Sequence, residues 1–192
     1  MITQTEDEEE RKELNEVIKT HSNQMLKIVN DIVDISKIET NSVIYHNKTF
    51  NLADLLKEIE LEFIKRIPDN IEFKIQKIDF QITTDKERLF QVIYNLVDNA
   101  VKFTKTGKIE LYCQSSNNEV TITVEDSGIG IEYDKLEKIF DRFYKIDSFA
   151  PGAGLGLCLC KAMSQIMNGN IKVYSEFGKG SKFVFNFPIN SN

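Results

Sequence analysis

On the stretch "NLVDNAVKF", Asn95, Asn99 and Lys102 stand at i, i+4 and i+7, so they share one face of any helix formed there. That face is polar, while the other side of the same segment is apolar. Asparagine oxygens can join phosphate oxygens and waters around a hard divalent cation such as Mg²⁺, which takes six oxygen ligands. Lys102 adds a fixed positive charge suited to phosphate. Three glycine clusters follow downstream: "EDSGIGI" (125–131), "PGAGLGL" (151–157) and "EFGKGSKF" (176–183). Glycine lets backbone approach a ligand closely and adopt positive φ. The middle cluster runs straight into a helical pattern, whose free N–H groups and dipole can receive an anion. Any one cluster read alone is equally a set of turns. Two common phosphate loops are absent: "GAGLGL" is G-x-G-x-G rather than G-x-G-x-x-G with a strand leading in, and no G-x-x-x-x-G-K-S/T occurs.

Positioning these residues requires a framework, and the hydrophobic periodicity supplies one. "DKERLFQVIYNLVDNAVKFT" (85–104) predicts a helix with Leu89, Val92, Ile93, Leu96, Val97 and Ala100 on its buried side. "FNLADLLKEIELEFIKR" predicts a short strand and then a helix that starts near Asn51 or Asp54. "IEFKIQ" and "FQITT" read as two short strands about a turn at "KID", and "GKIELYCQS" with "EVTITVED" as a hairpin joined by "SNN". "LGLCLCKAMSQIMNG" predicts a helix ended by Gly169, and "NIKVYSEFGKGSKFVFNFPI" predicts two closing strands. Strands and helices without regular β-α-β alternation indicate an α+β fold, a two-layer α/β sandwich with helices on one face of a mixed sheet. Ahead of it, Leu14, Ile18, His21, Met25, Ile28, Ile32 and Ile35 follow steps of four and three, the heptad seam of a long N-terminal helix. The acidic run "TEDEEERKE" is expected at that helix's start, near the positive end of its dipole. The seam needs a partner helix, and no second heptad helix exists in the chain. The boundary falls after residue 40, giving 1–40 as a partial dimerisation helix and 41–192 as the principal domain.

With 192 residues, 41% hydrophobic and 28% charged, the chain is a globular protein. A net charge of −6 argues against a general nucleic-acid or anionic-membrane binder. Cys113, Cys158 and Cys160 are odd in number and lack C-x-x-C spacing, which indicates reduced, buried thiols. No apolar run approaches the roughly 20 residues of a membrane span.

Taken in order, "NLVDNAVKFT", "DSGIG", "FDRFYKID", "GAGLGL" and "GKGSKF" resemble the N box, first glycine box, F box, and second and third glycine boxes of sensor histidine kinases. The resemblance covers roughly residues 50–188, and "DISKIET" is similar to the end of the dimerisation helix that leads into that family's ATP-binding domain. The fold implied is the Bergerat type of the GHKL superfamily, and the cofactors implied are ATP and Mg²⁺. By the same resemblance, Asn99 is the Mg²⁺ ligand with Asn95 beside it near the phosphates. Asp126 accepts a hydrogen bond from the adenine amino group, with Gly128 and Gly130 letting the backbone pass close to the base. Ser181, where the family often has threonine, lies near that carboxylate. Lys102 and Lys145 touch phosphates, Lys145 standing where arginine is frequent, and Gly154, Leu155 and Gly156 form the phosphate-side turn. Two departures stand out. The lid between Phe143 and Gly152 is short and lacks basic residues past Asp147. Asn95 occupies the position at which hydrolytic relatives carry a glutamate base, so hydrolysis lacks its base whereas transfer does not require one. Asp98, about 100° around the helix from Asn99, is expected to be solvated or capping.

The resemblance further implies a phosphoacceptor histidine followed by acidic and basic residues and a proline. His21 is followed by Ser22, Asn23 and Gln24, and His46 stands in "YHNKT"; neither fits. His21 also belongs to the seam that faces a partner. The expectation is therefore the catalytic portion of a histidine kinase that transfers the γ-phosphoryl group to a histidine outside this chain. Its implied partners are its own dimerisation helix in a homodimer and a response regulator, with no nucleic acid. The portion would be cytoplasmic, in a parent protein that can be anchored in the inner membrane. A nucleotide-binding interaction module without transfer activity, or a GHKL-type ATPase, are the alternatives.

Overall fold

The computed structural model describes residues 2–40, 42–76, 78–116, 118–147 and 152–189, and it divides into two compact units, Met1–Ser42 and Val43–Asn192. The first is a single helix, α1 (Ile2–Glu39). Its start differs from expectation: no acidic residue lies in the first turn, because the helix begins ahead of the acidic run. At the other end Thr40 closes the helix, its N–H and hydroxyl both donating to the Ser36 carbonyl at 3.1 and 2.9 Å. Most of the apolar row is left open: Leu14, Ile18, Met25, Val29, Ile32 and Val33 are exposed, and so is His21, while Ile28 is half-buried and Ile35 buried.

In the second unit the element order is β1 (Asn47–Asn51), α2 (Leu52–Phe63), β2 (Ile71–Ile75), β3 (Gln81–Asp85), α3 (Lys86–Phe103), β4 (Gly107–Ser116), β5 (Glu119–Asp126), α4 (Gly156–Ile166), β6 (Asn170–Glu176) and β7 (Gly180–Pro188), with two short 3₁₀ turns between β5 and α4. Five strands form one mixed sheet in the order β2-β4-β5-β7-β6, in which only β2 with β4 is parallel. β1 and β3 make a separate antiparallel ribbon. The expected β2–β3 hairpin is therefore absent. Each of those strands has its apolar row matched by a distant one, Phe73 and Ile75 by Ile109 and Leu111 of β4 and Ile82 by Phe50 of β1. Alternation identifies a strand but not its neighbour.

The layers meet through apolar faces. α2 contributes Leu52, Leu55, Leu56, Ile59 and Phe63, and α3 contributes the six residues named from its periodicity, all buried. Beneath them the register aligns Leu111, Val124 and Phe183 in one inward row and Cys113, Ile122 and Phe185 in the next. Each fully buried large apolar side chain stabilises the fold by about 1.5–3 kcal/mol. The same parity carries Ile109, Asp126 and Ser181 into one row, so Asp126 lies on the inner face at the end of the apolar ladder. Both helix starts are capped as their sequences suggest. The Asn51 side chain accepts from Ala53 N–H at 2.9 Å, and Asp85 accepts from Glu87 and Arg88 N–H at 3.1 Å. The end of α4 is different. Its reversal is made by Asn168 at φ 53, not by Gly169. Gly169 is demanded by packing, since a β-carbon there would stand 2.2 Å from the Asn186 carbonyl.

Candidate functional site

Asp126 is the buried charge at the end of β5. Burial raises its pKa from 3.8 to about 6, while the Gly128 N–H, donating at 2.8 Å, and the N–H of Ser181 pull in the opposite direction. A carboxylate in this setting is a strong acceptor with part of its capacity committed to the loop that follows. That loop is tight because of protein contacts. A β-carbon on Gly128 would meet the Phe103 carbonyl at 2.4 Å, and one on Gly130, at φ 67, would meet the Glu176 carbonyl at 2.0 Å. The loop is also tied to the end of α3, Ile129 N–H donating to Phe103 O at 3.2 Å. Ser175, not anticipated from sequence, joins the loop to the β6–β7 turn: its hydroxyl accepts from Ile131 N–H at 2.8 Å, donates to Gly180 O at 2.7 Å and stands 3.1 Å from the Ser181 hydroxyl. The signal for it was the period of two running inward through Ile171, Val173 and Ser175.

α3 carries the other half. Asn95 is buried and Asn99 half-buried, and among the described residues neither side-chain amide has a hydrogen-bond partner. Both amides remain in contact with solvent rather than sealed, since Thr104 is the one described residue with a wholly buried, unpartnered side-chain oxygen or nitrogen. A buried polar group without a protein partner is unfavourable unless water or a ligand completes it. No group of three or more His, Cys, Asp or Glu among the described residues could hold a metal.

α4 begins opposite Asn95: a β-carbon on Gly156 would stand 3.7 Å from the Asn95 Oδ1. Its N-cap position, Leu155, is buried and offers no side-chain cap, so the first N–H groups of the helix remain for another acceptor. Gly154, at φ 73, fits where a β-carbon would press on Phe143 and on the Tyr144 carbonyl at 2.8 Å, and its own carbonyl accepts Phe143 N–H at 3.0 Å. This bond joins the F-box segment to the turn before α4. Lys145 is half-buried in that segment. The centre of the short lid, residues 148–151, lies outside the described residues.

Asp98 departs from expectation. It is buried, not solvated: Oδ1 receives Arg66 Nη2 and Oδ2 receives Lys102 Nζ, each at 2.6 Å. Its place on α3 turns it toward the segment after α2, where Arg66 waits, a tertiary neighbour that helix geometry alone cannot supply. Neither histidine joins the site. His21 lies on α1, and the His46 backbone N–H serves the Asp85 carboxylate at 2.9 Å. Cys113, Cys158 and Cys160 are buried thiols outside any disulfide, burial pushing the Cys113 thiol up to about 12.

An inward carboxylate at a sheet end, two unpartnered amides and two glycine turns thus lie in one unit and can serve a polar ligand. The chain matches the family described as histidine kinase-, DNA gyrase B- and HSP90-like ATPases over residues 84–191, and it belongs to that family. It is 37% identical over 179 residues to the autoinducer 2 sensor kinase/phosphatase LuxQ of Vibrio vulnificus, covering 86% of this chain and 21% of that protein. To the sensor protein SrrB of Staphylococcus aureus it is 31% identical, covering 94% of this chain and 32% of that protein. The chain thus spans about a fifth to a third of the length of these relatives. Among solved structures, full-length ShkA in complex with AMPPNP superposes with a TM-score of 0.78 at 28% identity, over 88% of this chain and 36% of that one. The catalytic domain of the histidine kinase ThkA superposes with a TM-score of 0.66 at 30% identity, over 74% of this chain and 95% of that one. The α+β architecture is that of sensor histidine kinase catalytic domains, and the chain is a catalytic domain of that two-component class.

Proposed function

We propose that the second unit binds Mg-ATP and delivers its γ-phosphoryl group to a histidine on a dimerisation helix that this chain does not contain. The observation that carries this reading is the presence, in one unit, of an inward Asp126 carboxylate and the unpartnered amides of buried Asn95 and half-buried Asn99. Asp126 accepts from the adenine amino group, which selects adenine over guanine because an ionised carboxylate cannot donate. Asn99 offers its oxygen to the metal, and Asn95 stands beside it at the start of α4. Bound Mg²⁺ supplies charge neutralisation on the phosphate oxygens. Lys102 and Lys145 bring positive charge, and the uncapped N–H groups at Gly154–Gly156 bring further donors. Positioning and charge suffice for phosphoryl transfer. Water-directed hydrolysis would need a base at Asn95, and an amide is not one. In this reading α1 is the second helix of a dimerisation hairpin, supported by its exposed apolar row, and the assembled kinase is a homodimer that passes phosphate to a response regulator. The chain is then a cytoplasmic portion of a longer protein. No helix among the described residues is long and apolar enough to cross a membrane.

The test is to mix this chain with a separate fragment bearing the missing helix, and with γ-labelled ATP. Acid-labile label on the fragment's histidine is expected. ATP binding without transfer would instead favour a nucleotide-binding interaction module. Phosphate release by the chain alone that depends on Asn95 would favour an ATPase.

A further inference from the structure

Three charged side chains meet beneath the polar face of α3. Asp98 is 5% exposed at its side chain and receives one cation on each oxygen, Arg66 on Oδ1 and Lys102 on Oδ2. Arg66 is fixed from several sides. Its Nη1 donates to the Tyr94 hydroxyl at 2.9 Å, and its guanidinium lies 4.7 Å from the Phe63 ring centroid and 5.8 Å from that of Tyr94. The planar fork of arginine suits such a place, with two donors committed and one face against a ring. Lys102 is freer, a quarter exposed, and its ammonium would lie 3.6 Å from a β-carbon on Gly152, in the glycine turn before α4.

Two cations on one carboxylate leave the cluster one net positive charge. Had Asp98 only Lys102 for a partner, pair and charge would cancel, and the lysine would be held inward by a buried anion that has no other counter-ion. With Arg66 in place, Lys102 donates once to Asp98 and keeps two of its three N–H groups for another acceptor. We propose that Arg66 is a positioning residue for the phosphates: by neutralising Asp98 it leaves the Lys102 ammonium its charge, and so sets affinity for the triphosphate without touching it. The inference rests on the reading of Lys102 as a phosphate contact, and the test separates the two.

Affinities for Mg-ATP and for adenosine are measured by calorimetry or NMR titration on the full chain and on variants. Arg66→Gln is expected to weaken Mg-ATP binding on the order of fivefold, the scale of one partly screened unit charge, with adenosine binding unchanged. Arg66→Lys, which keeps the charge, is expected to hold the ratio of the two affinities within about twofold of the parent chain. Arg66→Gln combined with Asp98→Asn removes the anion as well, and the ratio is expected to return to the parent value or above it. A purely structural role for Arg66 would lower both affinities together and leave the double variant the weakest; that result overturns the inference. So does an Arg66→Gln chain with an unchanged ratio while Lys102→Gln shifts it. If Lys102→Gln itself leaves the ratio unchanged, the underlying assignment of Lys102 fails, and the inference with it.

Discussion

Asp126 concentrates both the chemistry and the cost of the site. Its folded pKa of about 6 exceeds the ordinary 3.8, so between those values the folded chain holds a proton that the unfolded chain releases. This group therefore favours the fold most below about 3.8, loses that contribution as pH rises toward 6, and is constant above. Asp126→Asn is expected to abolish ATP binding in calorimetric titration, and also to raise the thermal midpoint of the nucleotide-free chain at pH 7. The gain is about 1–2 kcal/mol, since the amide still has to be buried. Unchanged ATP affinity would sink the assignment of the base contact. In the proposed role of Asp126 as the acceptor for adenine, binding draws on the ionised form. Affinity for Mg-ATP is expected to be flat above pH 7 and to fall about tenfold per unit once pH drops below 6, a profile that titrations at several pH values read directly. Residue-level chemistry was legible where side chains sit at helical or glycine-box spacing. Asp98 was not, because its partner Arg66 lies 32 residues earlier in the chain.

Among the elements, α3 has most to do, since it carries Asn95, Asn99 and Lys102 and packs against the sheet. Its start is fixed by Asp85, which receives Glu87, Arg88 and His46 N–H groups. Asp85→Ala is expected to lower stability by about 1–2 kcal/mol, seen as a drop of a few degrees in the unfolding midpoint. Saturating Mg-ATP should recover part of that loss by mass action. The helices and most strands could be read from periodicity alone, and Asn51 was one of the two residues expected near the start of α2. The partners of β2 and β3 could not: two short alternating strands separated by a few residues look like a hairpin, and only the competing apolar rows of β4 and β1 decide otherwise.

For the whole molecule, the exposed row of α1 sets the expected behaviour in solution. Eight large apolar side chains from Leu14 to Val33 stand open along one helix, more than a lone helix keeps in water without a partner. Sedimentation at two concentrations is expected to show self-association. Ile18→Glu with Met25→Glu should return the chain to a single mass and leave the nucleotide affinity of the second unit unchanged. A monomeric parent chain at the higher concentration would overturn the dimerisation reading of α1. His21 is exposed on the same helix.

The order of the five boxes, the helical periodicities and the heptad steps are local properties of the chain, and they were enough to determine the family, the layered α+β fold and which side of α3 is apolar. Distances of three or four residues are fixed by helix geometry, so no tertiary contact was needed to read them. The tertiary structure decided what depends on residues remote in sequence. Strand pairing set which row Asp126 enters, and so its burial and raised pKa. Ser175 and Gly180 became the wall behind the Asp126 loop only when β6 and β7 came alongside it. Arg66 acquired a partner only when the segment after α2 packed on α3. Burial and charge pairing are sums over neighbours, and neighbours far apart in sequence exist only once the chain has folded.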